Sequence, residues 1–553
     1  MTSDQGTLTR ALRERAGAHP DRLAFICGER RITFGEFDSR VDQVTRALRT
    51  AGVGHGDRVA ILDKNSIEYI EQLYGAARLG AVQVPVNYRL APDEVAFIVN
   101  NAQAAVLIVG PEFVPILDAV AGKLEHTKHL VVIGGDAGAA SARVPAGQTE
   151  QAGQTEQAAY LDYERWLAAY EAEPDAPTPE LALSDVFVQL YSSGTTGLPK
   201  GVMLTHDNFG AALPLIQEEW AIDADTVLMI AMPMYHIAGC ALSAGALYHG
   251  ITGVIMREPD PVAIVLAIET HRVSIAFLVP VLLLFLQQLP TAKTADLSSL
   301  QLLVYGASPI SDDVLRGAMR LLPHTAFMQV YGLTETTGAI TRLPPEDHRP
   351  DSPYGHRLRS AGLPNRLTEL KIIDPATGAE LPRGEVGEIL SRTAQNMKGY
   401  WGLAQATEDT MLPGGWLRTG DAGYLDEDGY LYINDRVKDM IISGGENIYP
   451  AEVENVLMSH PAVADCAVIG VPDEKWGETP KALVVRAVGA GDGSAGGEVG
   501  EQDLISYCRD RLAHFKCPSS IEWRDEIPRN PTGKVLKREL RRPYWEGRDR
   551  AVH

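Results

Sequence analysis

Apolar and polar positions follow two periods along this chain. Between Thr33 and Val109, segments with helical spacing at 34–50 and 66–79 alternate with short β-rich apolar runs at 58–62 and 105–109, which predicts β/α packing. The same alternation returns over 183–256 and 273–331, with strand-like runs at 186–191, 273–279 and 300–305, so a second β/α layer is expected. From 369 to 434 the pattern changes to short strands at 369–373, 387–391 and 429–433 separated by Gly, Pro and Asp turns, the mark of a small β subdomain. Beyond Asp435 the chain reads as helix (450–459), strand (463–471), strand (481–487), Gly-rich loop (489–500) and helix (501–513).

The expected fold class is therefore α/β. A large N-terminal domain over 1–434 holds two β/α layers and a β subdomain at about 365–434, a hinge follows at 435–439, and a smaller, mobile α+β lid domain covers 440–553. Residues 143–179 break the pattern and contain the unit GQTEQA twice within 147–158; the repeat is too short for a solenoid and predicts a polar surface insertion, dispensable for chemistry. The longest apolar run, 273–286, is 14 residues with Pro280 in its middle. That is short of the ~20 that span a bilayer, so a buried core element is expected and no transmembrane segment.

Composition narrows the function classes. With 45% hydrophobic and 22% charged residues the chain is that of an ordinary globular protein, and 50 basic against 72 acidic residues give a net charge of −22. That balance argues against nucleic acid or an anionic membrane as the main partner, and an anionic ligand would need locally placed cations. The cysteines at 27, 240, 466, 508 and 517 show neither a C-x-x-C pair nor zinc spacing, and residues 1–20 lack the apolar core of a signal peptide. A cytoplasmic location is expected. Weak peripheral association with membranes and a homodimer are both compatible with this sequence.

Residues 191–202, YSSGTTGLPKGV, pack four hydroxyl side chains, three glycines and Lys200 between two apolar segments. Glycines let a backbone approach an anion, N–H groups and hydroxyls donate to its oxygens, and a lysine adds a point charge, so this is a phosphate cradle. Its spacing differs from the Walker type. Further motifs follow in order: PMYHIAG at 233, YGAS at 305, YGLTET at 331, GWLRTGD at 415, DRVKDMIISGGENIYPAEVE at 435 and PRNPTGKVLKREL at 528.

Together these segments resemble the adenylate-forming superfamily of acyl-CoA synthetases, luciferases and peptide-synthetase adenylation domains, over about residues 20–542, and most of all bacterial fatty-acyl-CoA synthetases. The resemblance implies that a carboxylate attacks the α-phosphate of ATP to give acyl-AMP and pyrophosphate, and that coenzyme A then displaces AMP. It implies that Ser192, Ser193, Gly194, Thr195, Thr196 and Gly197 hold the β- and γ-phosphates with Lys200 closing over them. Gly306, Ala307 and Ser308 would wall the adenine slot, Gln329 and Gly332 would line the nucleotide, Tyr331 would pack on adenine, and Thr334 would meet the α-phosphate. Glu335, with Thr196, would bind Mg²⁺. Asp421 and Arg436 have complementary capacity toward ribose hydroxyls, and Lys534 would be the catalytic lysine that stabilises charge at the α-phosphate.

For the second step the resemblance implies rotation about Lys438, which withdraws Lys534 and brings Gly444 and Gly445 to a pantetheine tunnel. Trp476 and Phe515 would contact the CoA nucleotide, with Arg89 and Lys516 near its phosphates, although Cys517 and Ser519 stand where relatives often carry more basic residues. His236 would gate the acyl pocket, with Gly239, Cys240 and Gly332 as small pocket positions that leave room for more than acetate. No carboxylate lies between Asp225 and Glu258 to pair the amino group of an amino acid. Expected substrates are medium- or long-chain fatty acids first, then aryl, phenylpropanoid or steroid acids. The alternatives are an acyl-AMP ligase that loads a carrier protein, a luciferase-like oxygenation and, from a different class, a catalytically inactive nucleotide-binding regulator.

Overall fold

Helix starts are written locally in the sequence. Thr33 closes a reciprocal cap with Glu36, whose carboxylate accepts the Thr33 N–H at 2.8 Å while the Thr33 hydroxyl accepts the Glu36 N–H at 3.3 Å. The helix Phe34–Thr50 follows. Ser66 caps Ile67–Arg78 by accepting the Tyr69 N–H. In the computed structural model of the chain, the described residues are 6–134, 160–170, 179–192, 198–308, 310–349, 353, 355–443, 446–487, 499–529 and 535–546, with Lys438, Glu446 and Asn447 described by backbone alone.

Among these residues two large sheets form the N-terminal part. In the nine-stranded sheet, parallel strands Leu302–Gly306, Ile275–Leu278, Val227–Ile230, Thr252–Ile255 and Leu23–Cys27 lie side by side, and Ala326–Leu333 extends the parallel set. In the eight-stranded sheet, Val82–Pro85, Arg58–Leu62, Ala104–Val109 and His129–Val132 run parallel, flanked by Val186–Ser192 and its antiparallel partner Lys200–Thr205. Helix Ile67–Arg78 is buried nearly all round, and one apolar core joins its Ile70 and Tyr74 to Phe187 of one sheet and Met229 of the other. This is the expected α/β class.

A five-stranded antiparallel sheet contains Glu369–Ile373, Gly387–Arg392, Trp416–Leu425, Met411–Leu412 and Leu431–Arg436. The smaller C-terminal sheet contains Ile441–Ser443, Glu446–Ile448, Val463–Asp473, Gly477–Arg486 and Ser520–Trp523. Helices Pro450–Met458 and Glu501–Arg509 close one core of that sheet through Val453, Leu457, Leu504 and Ile505. Helix Lys537–Trp545 closes another through Leu540 against Ile469.

Two expectations are corrected. The run 273–286 is not one buried element: Pro280 splits it into the buried strand Ile275–Leu278 and the helix Pro280–Gln288, where proline at the first helical position costs no hydrogen bond. Val281 and Phe285 of that helix face solvent at 42% and 45% exposure. The stretch 143–179 is not all surface insertion either, although the GQTEQA repeat lies outside the described residues. Tyr163, Trp166 and Leu167 of the helix Tyr163–Ala168 are buried. The Tyr163 hydroxyl donates to Glu71, a fully buried carboxylate that also takes a two-pronged contact from Arg40 at 3.1 and 3.0 Å. A buried carboxylate is costly unless paired in this way, so the segment helps to complete the core.

Two buried histidines make stability depend on pH. His206 packs on Phe187, and its Nδ1 accepts the Leu8 N–H at 3.3 Å. His348 lies between the Tyr305 hydroxyl and the Pro344 carbonyl, each at 2.9 Å. Burial pushes both down from 6.5 to about 4. Between those values the folded chain binds fewer protons than the unfolded one, so the stabilisation is present above pH 6.5 and is lost as pH falls toward 4. His206→Gln keeps an acceptor for Leu8 and removes one titrating group. Its thermal midpoint should fall less steeply than that of the parent between pH 7 and 5, and an unchanged slope in differential scanning fluorimetry would contradict this account.

Candidate active site

The strand Val186–Ser192 delivers Ser192 to its C-terminal end, and Lys200 begins the returning strand directly opposite, as the register partner of Ser192. Ser193, Gly194, Thr195, Thr196 and Gly197 lie outside the described residues. From the other large sheet, Ala326–Leu333 runs into the one-turn helix Thr334–Thr336, held by the Thr336 hydroxyl on the Leu333 N–H at 2.9 Å. That turn presents Glu335. Its Oε1 accepts from the Ser192 hydroxyl at 3.0 Å and from the Tyr400 hydroxyl at 3.1 Å, so the structure brings Glu335 and Ser192 together and Tyr400 joins them.

In the five-stranded sheet, Asp421 and Arg436 are register partners in adjacent strands and form an ion pair at 2.7 Å. Tyr331 donates its hydroxyl to the other Asp421 oxygen, also at 2.7 Å. The Asp421 charge pushes the Arg436 pKa up, while burial and then Asp421 push Tyr331 up, so both stay protonated donors. Gly306 ends its strand where a Cβ would come 2.3 Å from the Val330 carbonyl oxygen, so only glycine fits that close approach. Ala307 follows with φ of +66°, a conformation that strains a non-glycine residue, and Ser308 comes next, partly exposed. Gln329 pairs with Tyr305 in the neighbouring strand, and Thr334 is half-buried at the turn.

Three pocket expectations are corrected. A Cβ at Gly332 would lie 1.8 Å from the Gly338 carbonyl oxygen, so this glycine serves the close packing of two strands and carries no information on pocket length. A Cβ at Gly239 would lie 2.3 Å from the Pro233 carbonyl oxygen, which shows that the start of helix Ile237–His249 is seated on backbone. Cys240 is 2% exposed, burial pushes its thiol up to about 12, and it lies in the apolar core rather than on an open wall. Ile237 and Ala238, both half-buried, are the residues of that turn left to meet a ligand.

His236 precedes the same helix and packs on Tyr235 with ring centroids 4.4 Å apart. Tyr235 meets Tyr88 edge-on, and the exposed Arg89 guanidinium lies 5.6 Å from the Tyr88 ring centre, so His236 and Arg89 flank one aromatic group. Trp476 and Phe515 are exposed at 48% and 44%, with Lys475 over the Trp476 ring and Lys516 paired to Glu452 at 2.8 Å. Gly444, Gly445 and Lys534 lie outside the described residues, and Lys438 is described by backbone alone.

Sequence reasoning missed two residues. Tyr400 is one; a lone Gly-Tyr pair carries no periodic or charge signal. Lys537 is the other: its ammonium lies 3.0 Å from Glu454 and 3.5 Å from Asp435, and Asp435 also accepts the Ala451 N–H at 2.8 Å. Burial would lower the Lys537 pKa, but Glu454 and Asp435 outweigh it and raise it. Lys534 was assigned from the motif resemblance, and nothing local singles out Lys537 three residues later.

The donor set at Glu335 fits a hard divalent cation. One oxygen is taken by two hydroxyls, and Oε2 accepts no hydrogen bond among the described residues. Among them no three His, Cys, Asp or Glu side chains group into a cage. A single carboxylate, completed by substrate phosphates and water, is the usual arrangement for Mg²⁺. If Asp421 takes the ribose hydroxyls, Asp421→Ala removes that acceptor and leaves Arg436 and the Tyr331 hydroxyl unpaired. Calorimetric ATP binding should then weaken by about 10-fold or more. Unaltered affinity would rule the carboxylate out of the nucleoside site.

Residues 12–401 match the AMP-binding enzyme family, and residues 452–534 match the AMP-binding enzyme C-terminal domain. The chain is 37% identical over 553 residues to a fatty acid–acyl-carrier-protein ligase of Streptomyces coeruleorubidus, covering 99% of this chain and 98% of that protein. It is 38% identical over 533 residues to a feruloyl-CoA synthase of an Amycolatopsis species, covering 96% and 97%. The solved structure of a Mycobacterium tuberculosis fatty acyl CoA synthetase aligns with a TM-score of 0.73 at 33% identity, over 98% of this chain and 99% of that one. The chain belongs to the AMP-binding enzyme family and is an acid ligase of the adenylate-forming superfamily.

Proposed function

We propose that the protein is an ATP-dependent acyl-CoA synthetase acting on an apolar carboxylic acid, with medium- and long-chain fatty acids first. The observation that carries this reading is the convergence of Ser192 and Glu335 at one end, and of Tyr331, Asp421 and Arg436 at the other, from three separate sheets. Such a row of donors and acceptors suits a nucleotide laid across the sheet ends. An acid oxygen then attacks the α-phosphorus, pyrophosphate leaves, and acyl-AMP remains. A thiol next attacks the acyl carbon, loses its proton and expels AMP.

Within this reading Ser192, Thr196 and Lys200 hold the triphosphate, and Glu335 with Thr196 would hold Mg²⁺, which when bound supplies charge neutralisation at the phosphates. Asp421 and Arg436 orient the ribose, Lys534 meets the charge that builds at the α-phosphate, and 435–439 serves as the hinge that exchanges Lys534 for the 444–445 loop. His236 gates the acyl group. The apolar preference is supported by the stretch from Asp225 to Glu258, which holds no carboxylate for an ammonium group. The five cysteines are all unpaired, which suits the reducing cytoplasm.

Two findings favour second readings. The feruloyl-CoA synthase relative raises arylpropenoic acids to a serious candidate class, and the acyl-carrier-protein ligase relative makes a carrier phosphopantetheine an alternative acceptor. Purified protein should therefore be given ATP, Mg²⁺ and either CoA or a carrier protein, with a panel of C2 to C18 fatty acids and cinnamates. AMP release with a CoA thioester of an apolar acid is the expected outcome. No AMP and no thioester with either acceptor, for any acid, would sink the reading. Lys534→Ala should abolish acyl-AMP formation, followed by pyrophosphate exchange, while largely sparing thioester formation from supplied acyl-AMP; equal loss of both would refute its assignment to the first step.

A further inference from the structure

The segment 397–401 joins the two halves of the phosphate end. Its backbone binds both large sheets: the Met397 N–H donates to the Glu335 carbonyl at 2.8 Å, the Lys398 N–H to the Met203 carbonyl at 2.9 Å, and the Trp401 N–H to the Gly201 carbonyl at 2.8 Å. The short strand Gly399–Tyr400 thereby lies antiparallel on Lys200–Thr205, with Tyr400 opposite Val202. Gly399 has φ of +142°, which favours glycine, and the Thr407 hydroxyl accepts the Tyr400 N–H at 2.9 Å. On the far side the Trp401 ring stacks under the Arg58 guanidinium at 3.4 Å, and its indole N–H donates to the Asn101 carbonyl at 3.0 Å. The backbone that carries Tyr400 is therefore fixed by four hydrogen bonds, and the Trp401 side chain adds two contacts.

Tyr400 itself is 8% exposed. Were it present for packing alone, a phenylalanine would serve without a buried hydroxyl, which is costly to desolvate unless it finds a partner. That hydroxyl donates to Glu335 Oε1, the oxygen that also accepts from Ser192, and the face of the ring lies 4.9 Å from the Lys200 ammonium, within cation–π range. Burial, and then the Glu335 charge, hold the phenol well above its usual range, so it remains a donor. One side chain thus touches both the carboxylate suited to the divalent cation and the lysine of the phosphate loop.

We propose that Tyr400 is a positioning residue for the metal–triphosphate end of the site: its hydroxyl fixes the Glu335 carboxylate with Oε2 turned to the cation, and its ring seats Lys200. The proposal rests on the adenylation reading, and its test separates the two. ATP binding is titrated by calorimetry at a series of Mg²⁺ concentrations, with no acid present, for the parent chain, Tyr400→Phe and Tyr400→Leu. Tyr400→Phe keeps the ring under Lys200 and should raise the Mg²⁺ concentration for half-maximal ATP binding by about 10-fold, the usual scale for one hydrogen bond to a charged group. Its thermal midpoint and the KM for the carboxylic acid should stay within about twofold or 2 °C of the parent, as expected when no packing is lost. Tyr400→Leu should further weaken ATP binding at saturating Mg²⁺. A Tyr400→Phe protein with the parent's Mg²⁺ dependence overturns the proposal, as does one in which Mg²⁺ dependence, acid KM and thermal midpoint all worsen together. Failure of the parent chain to bind ATP at all would instead overturn the adenylation reading.

Discussion

One carboxylate oxygen joins the two large sheets of this protein at the candidate site. Glu335 Oε1 accepts from Ser192 of one sheet and from Tyr400 of the segment that returns to it, while Glu335 itself sits on the turn that ends a strand of the other sheet. A carboxylate oxygen that takes two hydroxyls has its orientation set by donors on two elements. Sheet twist, strand length and the one-turn helix at 334–336 all have to agree for those three groups to meet. The other end of the candidate site obeys the same logic: the Asp421 carboxylate accepts from Arg436 and from the Tyr331 hydroxyl. Charge is thus arranged in the folded chain itself, an arrangement suited to a polar ligand.

Backbone proximity, more than side-chain volume, governs the small residues around this site. Gly306, Gly239 and Gly332 each face a carbonyl oxygen at a distance that no Cβ tolerates. They allow strand ends and the start of helix Ile237–His249 to approach one another closely, and that approach places Ala307, His236 and Glu335. A glycine near a ligand site invites the inference of an open pocket, but here the space is already filled by main chain. Substrate size has to be sought in residues with exposed faces, such as Ile237 and Ala238.

Much of the architecture was legible because its signals are local. The run Arg58–Leu62 is a strand with the bounds expected of it, as is Glu369–Ile373, since each is an apolar or β-branched stretch closed by turn residues. Phe34–Thr50 was equally clear because its cap and its period coincide. The strand expected at 273–279 is present as Ile275–Leu278, but the helix after it was not separated from the apolar run, because Pro280 ends one element and begins the next with no polar residue between them. The burial of Tyr163 could not be read at all: its partner Glu71 lies 92 positions away, and nothing in a polar neighbourhood announces a core residue. Tyr400 shares that difficulty, since its contact with Glu335 spans 65 positions and its contact with Lys200 spans two hundred. Asp421, Arg436 and Glu335 were found by motif resemblance, and the structure adds what the motif lacks, namely which atoms they already engage.

The anchoring of Lys537 beside Asp435 alters how the C-terminal module is to be pictured. These residues are 102 positions apart, yet their side chains meet where the module begins, and Arg541 reaches Asp439 at 2.5 Å in the same place. The module starts and finishes at one neck, like a noose drawn closed. Swinging it about that neck would lengthen no connecting segment, so the motion carries no added loop-closure entropy. What resists it is local: the parting of Asp435 from the Ala451 N–H and from Lys537, and of Met440 and Tyr449 from Ala422. Because the Lys537 ammonium is largely shielded from solvent, dissolved salt would soften the polar part of that resistance little.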